Sequence, residues 1–280
     1  MEFFEEAERS IIKKYRKTIW RKFVEGINEY QLIKENDKIA VCISGGKDSF
    51  LMAKCFQELK KHGKMKFDLE FIVMNPGYND GNLKLIKINA TALNIPIQIF
   101  ATDIFKIVSN INEGHPCYLC ARMRRGYLYD KAKELGCNKI ALGHHYDDVI
   151  ETILLSMLYG GEIKTMMPKL HSTNFEGMEL IRPMYFVKEA DIIAWGKHNG
   201  LNFLNCACKF TENNAILKVD ENGISDSKRL EMKILIEKFR KTNEYIEQNI
   251  FKSVENINLD AVIGYKKGEK KHHFLDVYDE

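Results

Sequence analysis

The sequence predicts an α/β fold: a parallel sheet with helices on both faces, an N-terminal helix and C-terminal helical additions. Three observations carry this. Short apolar runs near 38–43, 68–74, 96–100 and 138–142 alternate with helical patterns near 48–61, 80–93, 120–135 and 145–158. The run Ile39–Ile43 is apolar without alternation, as in a strand buried on both faces. It ends in Ser44-Gly45-Gly46-Lys47-Asp48-Ser49, which passes directly into the helical pattern beginning Phe50-Leu51-Met52.

Along the chain, residues 4–30 read as one amphipathic helix. Phe4, Ile11, Tyr15, Ile19, Phe23 and Ile27 recur at steps of three or four residues, or multiples of them, among lysines and arginines. After the four strand–helix pairs, a further strand near 178–182 and a helix near 187–199 follow. Residues 226–254 are helical again, whereas Ser253–Glu280 lacks periodicity and is expected to be irregular. The expected division is therefore an N-terminal helix (1–30), a nucleotide-binding domain (31–220) and C-terminal helices with a tail (221–280). In such sheets ligands bind at the carboxyl ends of the strands, where Ser44, Met74 and Gly143 fall.

Composition narrows the class. The chain has 280 residues, 45% hydrophobic and 29% charged, as in folded water-soluble proteins. No run of eighteen apolar residues occurs, so no membrane span is expected, and the acidic start Met1–Glu6 has no secretory apolar core. A cytoplasmic location is the expectation. The net charge of +3 is uninformative about partners, but basic residues cluster in the first helix, at Arg122, Arg124 and Arg125, and at Lys266, Lys267, Lys270 and Lys271. Each cluster alone is more often a solvated face than a binding site. Of seven cysteines, Cys42, Cys55 and Cys137 sit in apolar contexts and read as packing residues.

The Ser44–Ser49 segment has the chemistry of a phosphate cradle. Two glycines let the backbone approach a ligand, and the free N–H groups of the next helix point at an anion. Ser44 and Ser49 add hydroxyls and Lys47 adds a positive charge. It is not the Walker loop, because Val41 and Asp48 stand where that pattern needs glycine and Ser or Thr. A second constellation, Gly143-His144-His145-Tyr146-Asp147-Asp148, opens another helix after a strand. A magnesium–nucleotide complex takes one or two carboxylates, and Asp147, Asp148 and Asp48 are the candidates. The competing reading of the aspartates is ordinary capping of a helix start. A third, Cys117-Tyr118-Leu119-Cys120, starts a helix and suits a metal or an iron–sulfur cluster, with a redox pair as the competing reading; Cys206 and Cys208 form a separate C-x-C.

Together these residues resemble the tRNA 2-thiocytidine synthetase family within the pyrophosphate-loop ATP pyrophosphatases. The matching blocks are Val41–Ser49, Pro116–Cys120 with Arg122, Arg124, Arg125 and Gly126, and Leu142–His145 with Asp147, Asp148, Glu151 and Thr152. They continue through Tyr159-Gly160-Gly161, Pro168-Lys169-Leu170 and Arg182-Pro183, so the resemblance spans roughly 30–215. It implies an adenine nucleotide alpha hydrolase-like, Rossmann-like domain. It further implies an enzyme that binds ATP and Mg²⁺, adenylates O2 of a cytidine in the tRNA anticodon loop, and replaces that oxygen with sulfur. Ser44, Gly45, Gly46, Lys47, Asp48, Ser49, Met74 and Gly143 would bind ATP, with Lys47, Asp48, Asp147 and Asp148 catalytic. A [4Fe–4S] cluster would be held by Cys117, Cys120 and Cys208, with Cys206 the alternative third ligand, because this chain has C-x-C where the family shows C-x-x-C. Arg122, Arg124 and Arg125 would contact tRNA. A sulfur donor such as a cysteine desulfurase and a homodimer are further implications. Two alternatives stay open: an amine-attaching ligase of the lysidine type, and a non-catalytic ATP-binding or redox-sensing protein.

Overall fold

A computed structural model describes residues 2–109, 116–204 and 227–279; of Ser109, Pro116, Cys117 and Tyr118 only the backbone is described. Two compact units emerge, residues 1–149 with 166–227, and residues 150–165 with 228–280.

The first unit is built on a six-stranded sheet. Its strands are β1 (Lys38–Cys42), β2 (Asp68–Asn75), β3 (Ile97–Ala101), β4 (Lys139–Ala141), β5 (Lys169–His171) and β6 (Glu179–Ile181), ordered 3-2-1-4-6-5. All neighbours run parallel except β5, which pairs antiparallel with β6 at the edge. The parallel α/β sheet read from the sequence is thus present. β1 lies between β2 and β4, which explains its uninterrupted apolar run: Ile39, Ala40, Val41 and Cys42 are all buried. The chain leaves β1 for β2 on one side and reaches β4 on the other, so a crevice opens where β1 and β4 end. β5 is missed by the sequence reading because three residues, two of them exposed, carry no period.

Helices of this unit include α1 (Phe3–Ile12), α2 (Arg21–Glu29), α3 (Lys47–His62), α4 (Asp80–Ala92), α5 (Ile104–Ser109), α6 (Pro116–Glu134) and α8 (Glu189–His198). α7 (Tyr146–Gly160) begins in it. The single helix expected over 4–30 is interrupted. Tyr15 N donates to Ser10 O and Trp20 N to Tyr15 O, five residues back, and Arg16–Trp20 is a π-helical turn. The extra residue resets the helical phase, so Ile11 before it and Ile19 and Phe23 after it all reach the core. Lys54, fully buried on α3, bonds Glu8 of α1 at 2.7 Å and the Leu93 carbonyl at 2.8 Å. Cys42, Cys55 and Cys137 are buried, and burial raises their thiol pKa values, that of Cys137 to about 11.

In the second unit, the C-terminal helices are α9 (Lys228–Arg240) and α10 (Ile246–Ser253). Buried Glu151 lies 3.4 Å from Arg229 and 3.8 Å from Lys233 of α9. The tail expected to be irregular contains a hairpin, β7 (Gly264–Lys267) and β8 (Lys270–His273). Its two-residue turn begins at Gly268 with φ +63°, the left-handed geometry that hairpin turns require. The strands are polar on both faces, so no hydrophobic alternation announces them. No helix among the described residues is long and apolar enough to cross a membrane.

Candidate functional site

The site starts from the turn between β1 and α3. Gly45 adopts φ +92°, and a Cβ there would stand 2.7 Å from Leu204 Cδ1 and 2.9 Å from Ile86 Cγ1. Only glycine meets both demands. Leu204 N donates to the Gly45 carbonyl at 3.1 Å. Ser49 Oγ donates to the Gly46 carbonyl at 2.9 Å and receives Ser44 N at 3.2 Å, which closes the loop on itself. Gly46 is the N-cap of α3 and offers no side-chain cap, so the first N–H groups of the helix remain for a ligand. Gly143, after β4, lets the neighbouring turn approach: a Cβ there would be 3.2 Å from Asp48 C and Ser49 N.

Two cavities meet at this turn. The larger, about 730 Å³, is lined by Ser44, Gly46, Lys47 and Asp48, by Ile192, Gly196 and Phe203, and by Glu189 and Arg124. The smaller, about 310 Å³, is lined by Ser44, Asp48, Ser49, Met74, Gly143, Asp148 and again Arg124. The fold thus brings the sequence-selected loop residues, Met74 and Gly143 to one place, with Gly45 shaping the turn from behind. The larger cavity has the size and mixed lining of a nucleotide site.

Lys47 Nζ lies 2.9 Å from Glu189 Oε1 and 3.1 Å from Asp48 Oδ1. Burial pulls its pKa down, but the Asp48 and Glu189 carboxylates more than offset this and raise it overall. The ammonium is therefore retained throughout the neutral range. Its stabilising interaction is complete below the ordinary lysine pKa and is lost as pH rises through the higher folded-state value. Glu189→Gln should move the alkaline limb of kcat/KM for ATP to lower pH; an unmoved limb would show that Glu189 does not control Lys47.

Asp147 and Asp148 differ in their duties. Asp147 Oδ2 accepts from Glu189 N at 2.7 Å, which ties the start of α8 to the start of α7. Asp148 Oδ2 accepts from His145 N at 3.0 Å, a helix-capping bond, and the residue also lines the smaller cavity. Buried His145 sits among three carboxylates, 3.5 Å from Asp148, 3.8 Å from Asp147 and 3.8 Å from Asp48. Among the described residues no three His, Cys, Asp or Glu side chains are grouped to hold a metal ion. Asp48 and Asp148, both on the smaller cavity, could still supply the one or two carboxylates that a nucleotide-borne magnesium needs.

The arginines separate. Arg122 and Arg125 are exposed, whereas Arg124 turns inward onto both cavities, its guanidinium 5.6 Å from the Phe105 ring. Its Nε is buried without a hydrogen-bond partner among the described residues. Sequence reasoning grouped the three; helical spacing separates them, because Cys120, Arg124 and Leu128 follow one stripe of α6. Cys120 is buried with Met74, Ile104, Phe105 and Val108. Met74 is a cavity residue, so the Cys120 thiol lies beside the smaller cavity, and a thiol there could serve as one ligand of an iron–sulfur cluster. The Cys117 side chain and all of Cys206 and Cys208 lie outside the described residues. Glu189 is a site residue that no motif singled out, and His145, though inside the Gly143–Asp148 constellation, has no role of its own in the sequence reading.

Comparison with known proteins agrees with this geometry. The PP-loop domain family matches residues 15–213. The chain is 38% identical over 212 residues to the tRNA-cytidine(32) 2-sulfurtransferase of Aeromonas hydrophila, covering 74% of this chain and 69% of that protein. It is 33% identical over 235 residues to the protein of the same name from Syntrophotalea carbinolica, covering 83% and 86%. Among solved structures, the U34-tRNA thiolase NcsA from Methanococcus maripaludis, with its [4Fe-4S] cluster, superposes with a TM-score of 0.63. It shares 22% identity, over 91% of this chain and 80% of that one, and so shares the adenine nucleotide alpha hydrolase-like, Rossmann-like fold. With the loop, the strand order and these relatives in agreement, the chain belongs to the PP-loop tRNA-cytidine 2-sulfurtransferase family.

Proposed function

We propose that this protein is an ATP-dependent tRNA thiolase that adenylates O2 of an anticodon-loop cytidine and exchanges that oxygen for sulfur. The observation that carries the reading is the placement of Arg124: it lines both cavities beside the phosphate loop, one helical turn after Cys120, which packs in one apolar cluster with Met74 of the smaller cavity.

The chemistry needs two steps. The C2–O2 bond of cytidine is amide-like and its oxygen is a poor leaving group. O2 therefore attacks the α-phosphorus of ATP, an O–P bond forms, and pyrophosphate departs. A sulfide sulfur then adds at C2, and AMP leaves carrying the original O2. In the first step the α3 N–H groups, Ser44, Ser49 and Lys47 hold the departing phosphates. Asp48 and Asp148 hold Mg²⁺, and Asp147 keeps Glu189, and through it Lys47, in place. Arg124 neutralises charge on the α-phosphate and the adenylated intermediate. Cys117, Cys120 and Cys208, or Cys206 in its place, hold a [4Fe–4S] cluster, which when bound supplies an iron site able to carry the incoming sulfur. The apolar packing around Cys120 keeps water from hydrolysing the activated cytidine.

In this reading residues 31–220 form the catalytic domain, 1–30 cover it and 221–280 extend it. The partners are tRNA, a sulfur donor such as a cysteine desulfurase, and a second copy in a cytoplasmic homodimer. The direct test is tRNA-dependent release of pyrophosphate together with 2-thiocytidine in the digested tRNA. A mass increase equal to an attached amine would instead identify a lysidine-type ligase.

Arg124 gives a sharper prediction. Arg124→Ala should slow pyrophosphate release by ~10²-fold while tRNA affinity stays unchanged. Arg122→Glu with Arg125→Glu should do the opposite, weakening tRNA and flattening its salt dependence. If Arg124→Ala weakened only tRNA binding, Arg124 would belong to the RNA surface.

A further inference from the structure

The tail hairpin carries a charge arrangement that the reaction above does not use. Its register places Lys266 directly opposite Lys271 and Lys267 opposite Lys270. All four lysines are exposed, and no carboxylate among the described residues forms an ion pair with any of them. The ten residues Gly264–His273 hold four lysines against one glutamate, a net +3 that equals the charge of the whole chain. Like charges facing each other across two strands are destabilising, and an isolated two-stranded hairpin is marginal in water. A polyanion laid along the ribbon relieves that repulsion. Beside the lysines, the Tyr265 ring stacks on His272 at 4.7 Å and 8°. Lys266 and Lys271 also rim a cavity of about 1230 Å³ lined by Ile257, Leu259 and Val262, room for a splayed nucleotide.

We infer that the β7–β8 ribbon is a docking surface for the phosphate backbone of tRNA, anchoring the substrate through Lys266, Lys267, Lys270 and Lys271. The inference rests on the tRNA reading above, and it lies outside residues 15–213, which the family shares. Alternation places Lys266 and Lys271 on one face of the ribbon and Lys267 and Lys270 on the other. The ribbon therefore presents charge to a strand on either side, with no sequence preference. Each neutralised phosphate releases counterions, so binding must be salt-dependent in proportion to the lysines engaged.

The test compares the full-length wild type with a fourfold Lys→Gln variant and a fourfold Lys→Arg variant at these positions. Kd for an unmodified tRNA transcript is measured against salt concentration, with thermal unfolding and ATP affinity as checks on the fold. The Gln variant should raise Kd by ~10–100-fold near 0.15 M salt and shallow the log–log salt slope by about 2–3, with unfolding and ATP affinity unchanged. The Arg variant should retain both affinity and slope. An unchanged Kd and slope in the Gln variant would overturn the inference while leaving tRNA thiolation standing. Loss of self-association instead of tRNA affinity would overturn it too, and would assign the ribbon to a second copy. A wild type that binds no tRNA would remove the functional reading as well as the anchor.

Discussion

Lys47→Ala should lower the rate of tRNA-dependent pyrophosphate release by about 10²–10³-fold, the usual cost of removing one preorganised group that stabilises transition-state charge. The geometry explains why the loss should reach this size. Lys47 stands between the carboxylates of Asp48 and Glu189, at 3.1 and 2.9 Å. Without it two acids face the cavity with no ammonium between them, and they repel the phosphates that the loop is built to hold. Lys47→Arg should not restore the rate, because a planar guanidinium is longer and cannot place one compact charge at the same point. Stability should fall as well, because the Lys47 side chain is only 25% exposed and its loss leaves Asp48 and Glu189 without a counter-ion, so the rate is compared on protein shown to be folded. Single-turnover pyrophosphate release at saturating ATP measures the effect; a rate within threefold of wild type would remove Lys47 from the chemistry.

Gly45→Ala is expected to do the greatest damage to the fold of the site. Two costs combine. The left-handed φ of +92° is strained for any residue with a Cβ, at about 1–3 kcal/mol. The added carbon would also stand 2.7 Å from Leu204 Cδ1 and 2.9 Å from Ile86, an overpacking worth about 1–3 kcal/mol. Gly136 supplies the control, because it has φ +72° with nothing within 4 Å of a Cβ. Gly136→Ala should show only the strain cost. Denaturant unfolding of both variants separates the two contributions, and ATP titration should show a large loss for Gly45→Ala alone. Equal destabilisation of the two would mean that the close fit against Leu204 and Ile86 has no energetic weight.

Much of this site is legible in the sequence where its information is local. Strand, turn and helix are contiguous in Ile39–Phe56, so the apolar run, the glycines and the helical pattern identify the phosphate loop without tertiary knowledge. The sheet follows from alternation, and its strand order then makes the ends of β1 and β4 the binding edge. What stays hidden depends on distant pairing. Glu189 reaches Lys47 from 142 residues away and belongs to no motif. His145 has Asp147 and Asp148 beside it in the sequence but gains its third carboxylate only when Asp48 arrives from another strand end. Arg124 was legible in principle, since it follows Cys120 by one helical turn, but a run of arginines reads as surface until the face of the helix is known. The β7–β8 hairpin carries no hydrophobic period, because both of its faces are exposed. The π turn at Arg16–Trp20 shifts the helical phase without disturbing the apolar spacing on either side.

The central claim is that one site activates a tRNA cytidine with ATP and then delivers sulfur through the cysteine-bearing helix. It is tested most directly in protein purified without oxygen, by following pyrophosphate and 2-thiocytidine in the same single-turnover reaction for wild type and Cys120→Ala. Wild type should yield both products, and about four irons and four sulfides per chain. Cys120→Ala should lose the iron, still release pyrophosphate in the presence of tRNA, and form no 2-thiocytidine. Undiminished 2-thiocytidine from the variant, or wild-type thiolation without pyrophosphate release, would contradict the account.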